Sequence, residues 1–169
     1  MRRHAPLIPA AGRVLDLACG SGRHARYLAG LGLEVLAVDR DDSAMHGLAQ
    51  LPRVSVQFAD LERDAWPYHD GAFAGIVVVN YLHRPLFAHL AAALAPGGIL
   101  IYETFAVGNE RYGRPQNPDF LLRRAELLDF ARGRLRVIAY EDLYVEEPRP
   151  ACVQRLCAMR EHAHAEAHG

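Results

Sequence analysis

The stretch Asp16-Leu17-Ala18-Cys19-Gly20-Ser21-Gly22 restricts what this chain can become more than any other. It closes a short apolar run, Val14–Ala18, that reads as a buried parallel strand. It opens a segment, Gly22–Leu31, in which Ala25, Leu28, Ala29 and Leu31 recur at near-helical spacing before Gly32 stops the pattern. A strand, a glycine turn and a helix in that order begin a βαβ unit. Glycine lets the backbone approach a ligand closely, and a helix start presents N–H groups that lack intrahelical partners. Taken alone the turn is ambiguous, because Gly20-x-Gly22-x-x-Ala25 also satisfies a dinucleotide fingerprint.

The alternation continues downstream. Glu34–Asp39 reads as a second buried strand, Ser43 as the cap of a short helix running to about Leu51, and Val54–Ala59 as a third strand. Leu61–Gly71 mixes charge, aromatics and proline and reads as loop. Ala74–Asn80 is the most apolar run and the candidate central strand. Pro85–Leu94 is an Ala/Leu-rich helix closed by Pro96-Gly97-Gly98, and Ile99–Phe105 a fifth strand. Gly108–Phe120 breaks the regularity. A helix over Arg124–Ala131 follows, and then Arg134–Tyr144 and Ala151–Arg160, two β-rich runs joined by a Pro-containing turn as in a terminal hairpin. The pattern predicts an α/β, doubly wound, mainly parallel seven-stranded sheet with a C-terminal antiparallel hairpin. Residues 1–160 read as one domain, with 161–169 as a tail.

Composition narrows the partners. Nineteen basic and 20 acidic side chains leave a net charge of −1, so nothing predicts broad attraction to nucleic acid or an anionic membrane. All the basic residues besides histidine are arginine, which codon usage in a GC-rich genome explains. Three scattered cysteines, none in a C-x-x-C pair, point to neither a disulfide framework nor a zinc site. Cys152 and Cys157, on opposite faces of one strand, read as packing residues. No signal-like apolar stretch follows Met1, and no run reaches membrane-spanning length, so a cytoplasmic location is expected. His162, His164 and His168 lie in an Ala/Glu/His-rich terminus without supporting ligands, and no metal is expected there.

Three acids sharpen the glycine turn. Asp39 ends the second strand 19 residues after Gly20, where a carboxylate can accept both hydroxyls of a ribose. Its bland alternative is the capping of the following turn. Asp60-Leu61 ends the third strand, a polar group beside an apolar one, suited to an adenine edge. Asp16, just before the glycines, can serve a ligand ammonium directly or through water, whereas a pyrophosphate finds that charge unhelpful.

VLDLACGSGRHARYLA, EVLAVDRD, FADLE, FAGIVVVNYL and LAPGGILIYETF, in this order and spacing, resemble the successive motifs of the class I S-adenosylmethionine-dependent methyltransferases. The resemblance covers about Val14–Phe105, with Ala18 where the family has its first glycine. The chain's size and its GSGRHARYLA turn look most like the small tellurite-resistance-type branch. The resemblance implies S-adenosylmethionine as cofactor. Gly20, Gly22 and Asp16 would lie at its methionine moiety, Asp39 at ribose, Arg40 and Leu61 flanking adenine, and Asp60 at adenine N6. Asn80 and Tyr81 would lie beside the reactive methyl.

For catalysis, Tyr81 and His83 are the candidate bases, against the plainer readings of a packing tyrosine and an exposed helix-start histidine. Gly108–Phe120 follows the fifth strand and is long for a connection. Its Asn109, Arg111, Tyr112, Arg114 and Asn117 read either as a lid or anion clamp over substrate, or as a solvated loop held by turn chemistry. The expected function is methyl transfer to a small-molecule acceptor, with nucleic acid disfavoured and a homodimer one way to cover the cleft. Two alternatives stand beside it: an NAD-dependent oxidoreductase, and a cofactor-binding module acting through a partner without catalysis.

Overall fold

Seven strands form one sheet in the order β3-β2-β1-β4-β5-β7-β6. The computed structural model describes residues 1–162 of the chain. β1 (Arg13–Leu17), β2 (Glu34–Asp39), β3 (Val54–Phe58), β4 (Phe73–Val79) and β5 (Leu94–Phe105) are mutually parallel. β7 (Ala151–Met159) inserts antiparallel between β5 and β6 (Arg136–Val145), which gives the expected terminal hairpin. Strand order reverses between β1 and β4, and a doubly wound sheet opens its ligand crevice at the carboxyl ends beside such a reversal.

The central strands are buried on both faces, which is why they read as continuous apolar runs. On one face Leu15, Leu17, Ile76, Val78, Leu100 and Tyr102 pack with Leu86, Leu90, Leu127 and Phe130. These last come from α2 (Phe87–Ala93), the 3-10 turn before it (Arg84–Leu86) and α3 (Glu126–Ala131). On the other face Val14, Val35, Ala37, Val77 and Ile101 meet Ala25 and Leu28 of α1 (Arg23–Gly30), together with Ile8, Met45 and Leu48. Burying each of these larger side chains contributes about 1.5–3 kcal/mol.

Two local expectations are corrected. No helix runs from Ser43 to Leu51; only a 3-10 turn, Ser43–Met45, forms. The Asp41 carboxylate takes the Ser43 hydroxyl at 2.6 Å and the Ala44 amide at 3.3 Å, and Gly47 adopts φ +81. Side-chain bonds of this kind compete with a helical ladder, and a left-handed residue ends one. β5 also begins earlier than expected, at Leu94, because its Pro96–Gly98 stretch stays bonded to the sheet margin. The Gly97 amide donates to the Arg160 carbonyl at 2.7 Å, and the Arg160 amide to that of Gly98 at 3.0 Å. His162 lies against Gly97, while His164 and His168 fall outside the described residues.

Candidate active site

A cleft of about 460 Å³ lies at the carboxyl ends of the strands. The β1 end contributes Leu17 and Ala18, and the β2 end Val38, Asp39 and Arg40. Ala59–Glu62 come from the segment after β3, Asn80–Leu82 from beyond β4, and Thr104 and Phe105 from the end of β5. The sheet therefore brings together Ala18, Asp39, Arg40, Asp60, Leu61, Asn80 and Tyr81, seven positions that the sequence scatters over more than 60 residues.

Asp39 does two jobs at once. Its Oδ2 accepts from the Gly20 amide at 2.8 Å and its Oδ1 from the Asp41 amide at 3.0 Å. The turn-capping role and the cleft position are thus both real, and the first fixes the carboxylate for the second. Asp60 is held similarly, accepting from the Glu62 amide at 3.2 Å, with Arg63 at 3.8 Å. Arg40 reaches Glu62 at 3.9 Å. Three carboxylates (Asp39, Asp60, Glu62) and one guanidinium (Arg40) line the cleft, so negative charge prevails there.

The glycine turn behaves as its residue types require. Gly20 and Gly22 adopt φ +52 and +77. A Cβ on Gly20 would meet nothing within 4 Å, so the backbone there lies open, whereas one on Gly22 would strike the Leu48 side chain. Ala18 sits at φ +53, left-handed where the resembling family carries glycine. That conformation costs an alanine about 1–2 kcal/mol. Asn80 also adopts the left-handed conformation, at φ +57, with its amide bonded to the Glu103 carbonyl at 2.9 Å.

Asp16 does not line the cleft. It is 1% exposed, beneath the first turn of α1, where the Ala25 amide reaches it and its Oδ2 has no partner. Burial, partly opposed by that amide and reinforced by Asp39, pushes its carboxyl up to about 7. Asp16 therefore does not present its carboxylate directly to the cleft. Burial, then Asp16 and Asp39, likewise push the Cys19 thiol up to about 12, which removes it as a nucleophile.

The catalytic expectations are revised. Burial, with Glu62 and Asp60 beside it, pushes the Tyr81 phenol well above its ordinary range, so Tyr81 can donate a hydrogen bond but is no base at neutral pH. The Tyr102 hydroxyl donates to the Tyr81 carbonyl at 2.9 Å, and Tyr102 is a fully buried packing residue. His83 is half-buried at the start of the Arg84–Leu86 turn and is absent from the cleft lining.

Gly108–Phe120 does border the cleft, but through Pro115 and Phe120 instead of the polar residues singled out from sequence. Asn109 is 2% exposed; its Oδ1 accepts from the Cys152 amide at 3.3 Å and its Nδ2 faces the Pro115 carbonyl at 3.5 Å, so it ties the loop to β7. Asn117 caps the Pro118–Phe120 turn through the Asp119 amide at 3.0 Å. Tyr112 stands against Tyr144 with ring centroids 5.0 Å apart, and Arg111 and Arg114 are exposed. None of the five lines the cleft. Phe105 and Phe120 had no sequence signal beyond being aromatic residues near the fifth strand's end. Phe105 is placed by the end of β5, and Phe120 by the Arg84 side chain, which bonds the carbonyls on either side of it, Asp119 at 2.7 Å and Leu121 at 2.9 Å.

Among the described residues no group of three or more His, Cys, Asp or Glu is placed to hold a metal, and no helix is long and apolar enough to cross a membrane.

Comparison with known proteins gives this architecture its family. The family described as methyltransferase domain matches residues 14–98, just over half of the chain. The tRNA U34 carboxymethyltransferase of Hahella chejuensis is 35% identical over 135 residues, covering 68% of this chain and 42% of that protein. The chain spans less than half the length of the curated relatives it matches. Among solved structures, a SAM-dependent methyltransferase from Methanosarcina mazei superposes with a TM-score of 0.75 at 15% identity, over 96% of this chain and 99% of that one. TehB from Haemophilus influenzae gives 0.75 at 18% identity, over 95% and 61%. With the family match spanning the glycine turn and both acidic strand ends, the chain belongs to the methyltransferase-domain family, on the fold of the class I S-adenosylmethionine-dependent enzymes.

Proposed function

We propose that this protein binds S-adenosylmethionine in the cleft and transfers its methyl group to a small-molecule acceptor. The observation that carries the reading is the cleft's charge: three carboxylates against one guanidinium suit a ligand bearing a sulfonium and an ammonium, and repel the pyrophosphate of a dinucleotide. The residues present fit the group. Asp39, already oriented by two backbone amides, would accept the ribose hydroxyls. Leu61 and Arg40 would flank adenine, with Asp60 at its amino edge. The open backbone at Gly20 would lie against the methionine moiety, and Asn80 beside the methyl. The unpartnered Oδ2 of Asp16 would serve the ammonium through water.

The bound cofactor supplies a methyl carbon that the acceptor's lone pair can take while the carbon–sulfur bonding pair stays on sulfur. The chain's task is alignment, and orientation of this kind is worth about 7–11 kcal/mol. Within the cleft, Tyr81 stays protonated, and no neutral histidine lines it. That supports an acceptor whose nucleophile is soft or already ionised. An acidic rim and a net charge of −1 favour a small molecule over a polynucleotide.

Calorimetric titration with S-adenosylmethionine, S-adenosylhomocysteine and NAD tests the reading on wild type and Asp39→Ala. The expected result is binding of both adenosyl ligands, lost or reduced at least about tenfold in Asp39→Ala, as loss of charge-assisted hydrogen bonds predicts. NAD binding in their place would overturn it. Tight cofactor binding with no turnover across acceptors would instead favour the non-catalytic module.

A further inference from the structure

The cofactor reading leaves part of the cleft without a task. Asp39, Arg40, Asp60, Leu61 and Asn80 serve the adenosyl and methyl groups, whereas Tyr81, Leu82, Thr104, Phe105, Pro115 and Phe120 do not. These six form a wall of different chemistry. Only Tyr81 and Thr104 carry hydroxyls, and that of Tyr81 is engaged by Glu62. The wall begins where the methyl should point. The Asn80 amide donates to the Glu103 carbonyl at 2.9 Å, and Thr104 is the next residue along β5. Adjacent strands lie about 4.8 Å apart, so a small molecule on this wall stands one strand from Asn80, in the same cleft.

Core packing does not account for the wall's aromatic rings. Phe105, Pro115 and Phe120 belong to neither buried cluster of the sheet, and Phe120 is 50% exposed. Yet the Phe120 turn is firmly built. Arg84 joins the carbonyls on either side of that ring to the Glu126 carboxylate at the start of α3, and Asn117 caps the same turn. An exposed ring held by so many polar bonds is placed for contact with something outside the protein's own core. Charge differs here as well. The Arg149 guanidinium stands 5.8 Å from the Phe105 ring centroid, so positive charge borders this wall while carboxylates line the cofactor side.

We propose that this wall is the acceptor subsite, and that it takes a small molecule with a flat aromatic body packed on Phe105 and Phe120 and an ionised nucleophile toward Asn80. The inference rests on the cleft being the cofactor site. Aromatic rings favour an aromatic partner beyond what buried area alone supplies. The Thr104 hydroxyl is the wall's remaining donor for the nucleophile, and an ionised acceptor needs no base from the cleft.

Phenol and its saturated counterpart cyclohexanol are titrated calorimetrically into protein saturated with S-adenosylhomocysteine. Saturation takes up any change in cofactor affinity that a wall variant brings. Repeats use Phe105→Leu and Phe120→Leu, which keep apolar bulk and remove the ring. Phenol is expected to bind about tenfold more tightly than cyclohexanol, a preference cut to about twofold or less in either variant. Phe120 is half exposed, so its variant keeps the test decisive even if Phe105→Leu folds poorly. Methyl transfer to thiophenolate, which is ionised at neutral pH, reads the distance to the methyl. Its sulfur forms the new bond to carbon, the pair of the broken carbon–sulfur bond stays on the cofactor's sulfur, and no proton moves. The expected result is a methylated product whose rate at low thiophenolate falls about tenfold in Phe120→Leu. Equal binding of phenol and cyclohexanol would overturn the proposal. So would phenol binding without methylation of thiophenolate, or phenol binding only in the absence of S-adenosylhomocysteine, which would assign the wall to the cofactor. Binding of a single-stranded oligonucleotide with no phenol binding would overturn it in favour of nucleic acid. Failure of S-adenosylhomocysteine to bind wild type would sink the cleft reading and the subsite with it, whereas normal S-adenosylhomocysteine binding with no phenol binding would sink the subsite alone.

Discussion

Gly22→Ala isolates why the turn between β1 and α1 needs glycine at one position more than at another. At φ +77 an alanine pays about 1–2 kcal/mol for the left-handed conformation. The added Cβ would also sit 2.8 Å from Leu48 Cγ and closer still to both Leu48 methyls. Leu48 is fully buried against the α1 face of the sheet, so it cannot swing into solvent to make room. Overpacking of that kind costs a further 1–3 kcal/mol or so. Reduced freedom of the unfolded chain returns about 0.4–1 kcal/mol, for a net loss near 3 kcal/mol. Gly20→Ala, at φ +52 with nothing within 4 Å, carries only the conformational part and should cost about 1 kcal/mol. Urea unfolding followed by circular dichroism measures both. The double variant Gly22→Ala/Leu48→Ala should be destabilised by at least about 1 kcal/mol less than the sum of its single variants, because one change relieves the other. If Gly22→Ala proves no worse than Gly20→Ala, or if Leu48→Ala adds independently, the steric account is wrong.

Two further outcomes follow from buried charge. Arg84 donates to both Glu126 oxygens, at 2.6 and 3.0 Å, and to the carbonyls flanking Phe120. Burial pushes the Glu126 carboxyl up, but the Arg84 guanidinium and the Arg123 amide outweigh it and hold the group below its ordinary value. Arg84→Gln should lower stability by about 2–4 kcal/mol and weaken S-adenosylhomocysteine binding by loosening the Phe120 wall. Thermal melts and calorimetry check the two effects, and an unchanged affinity would show that Phe120 needs no such anchor. Asp16 gives a pH signature of the opposite sense. Its folded pKa is raised to about 7 by burial, so between roughly pH 4 and 7 the unfolded chain has released a proton that the folded chain still holds. Stability should therefore fall as pH rises through that window, by a few kcal/mol in all, and level off above it. Subtracting the profile of Asp16→Asn from that of wild type isolates the contribution, since the Glu126 pair is common to both. A flat difference would show that Asp16 is solvated in the folded protein.

Much of this protein was legible before any coordinate, because its information is local. Alternating buried runs and glycine stops specify strands and helices through their periods of two and 3.6, and short connections between parallel strands leave few topologies. The carboxyl ends of those strands then face one edge, which is why Asp39, Asp60, Leu61, Asn80 and Tyr81 arrived together as expected. The weaker readings failed where a local signal had rivals. Ser43 looked like a helix cap, yet Asp41 took its hydroxyl and Gly47 turned the chain away. Asn109 looked like a solvent-facing ligand residue, yet the Cys152 amide, 43 positions away, claimed its side chain.

The residues on their own thus determined the fold, the glycine turn and the acidic strand ends, since each depends on neighbours within one βαβ unit. Only the folded molecule decided that Asp16 is buried at the first turn of α1, off the cleft lining, and that Phe120 is held at the cleft by Arg84. Those outcomes depend on which distant surfaces pack together and which polar groups find partners when they do. That is a competition among the whole chain's side chains for burial and hydrogen bonds, and no short stretch of sequence contains it.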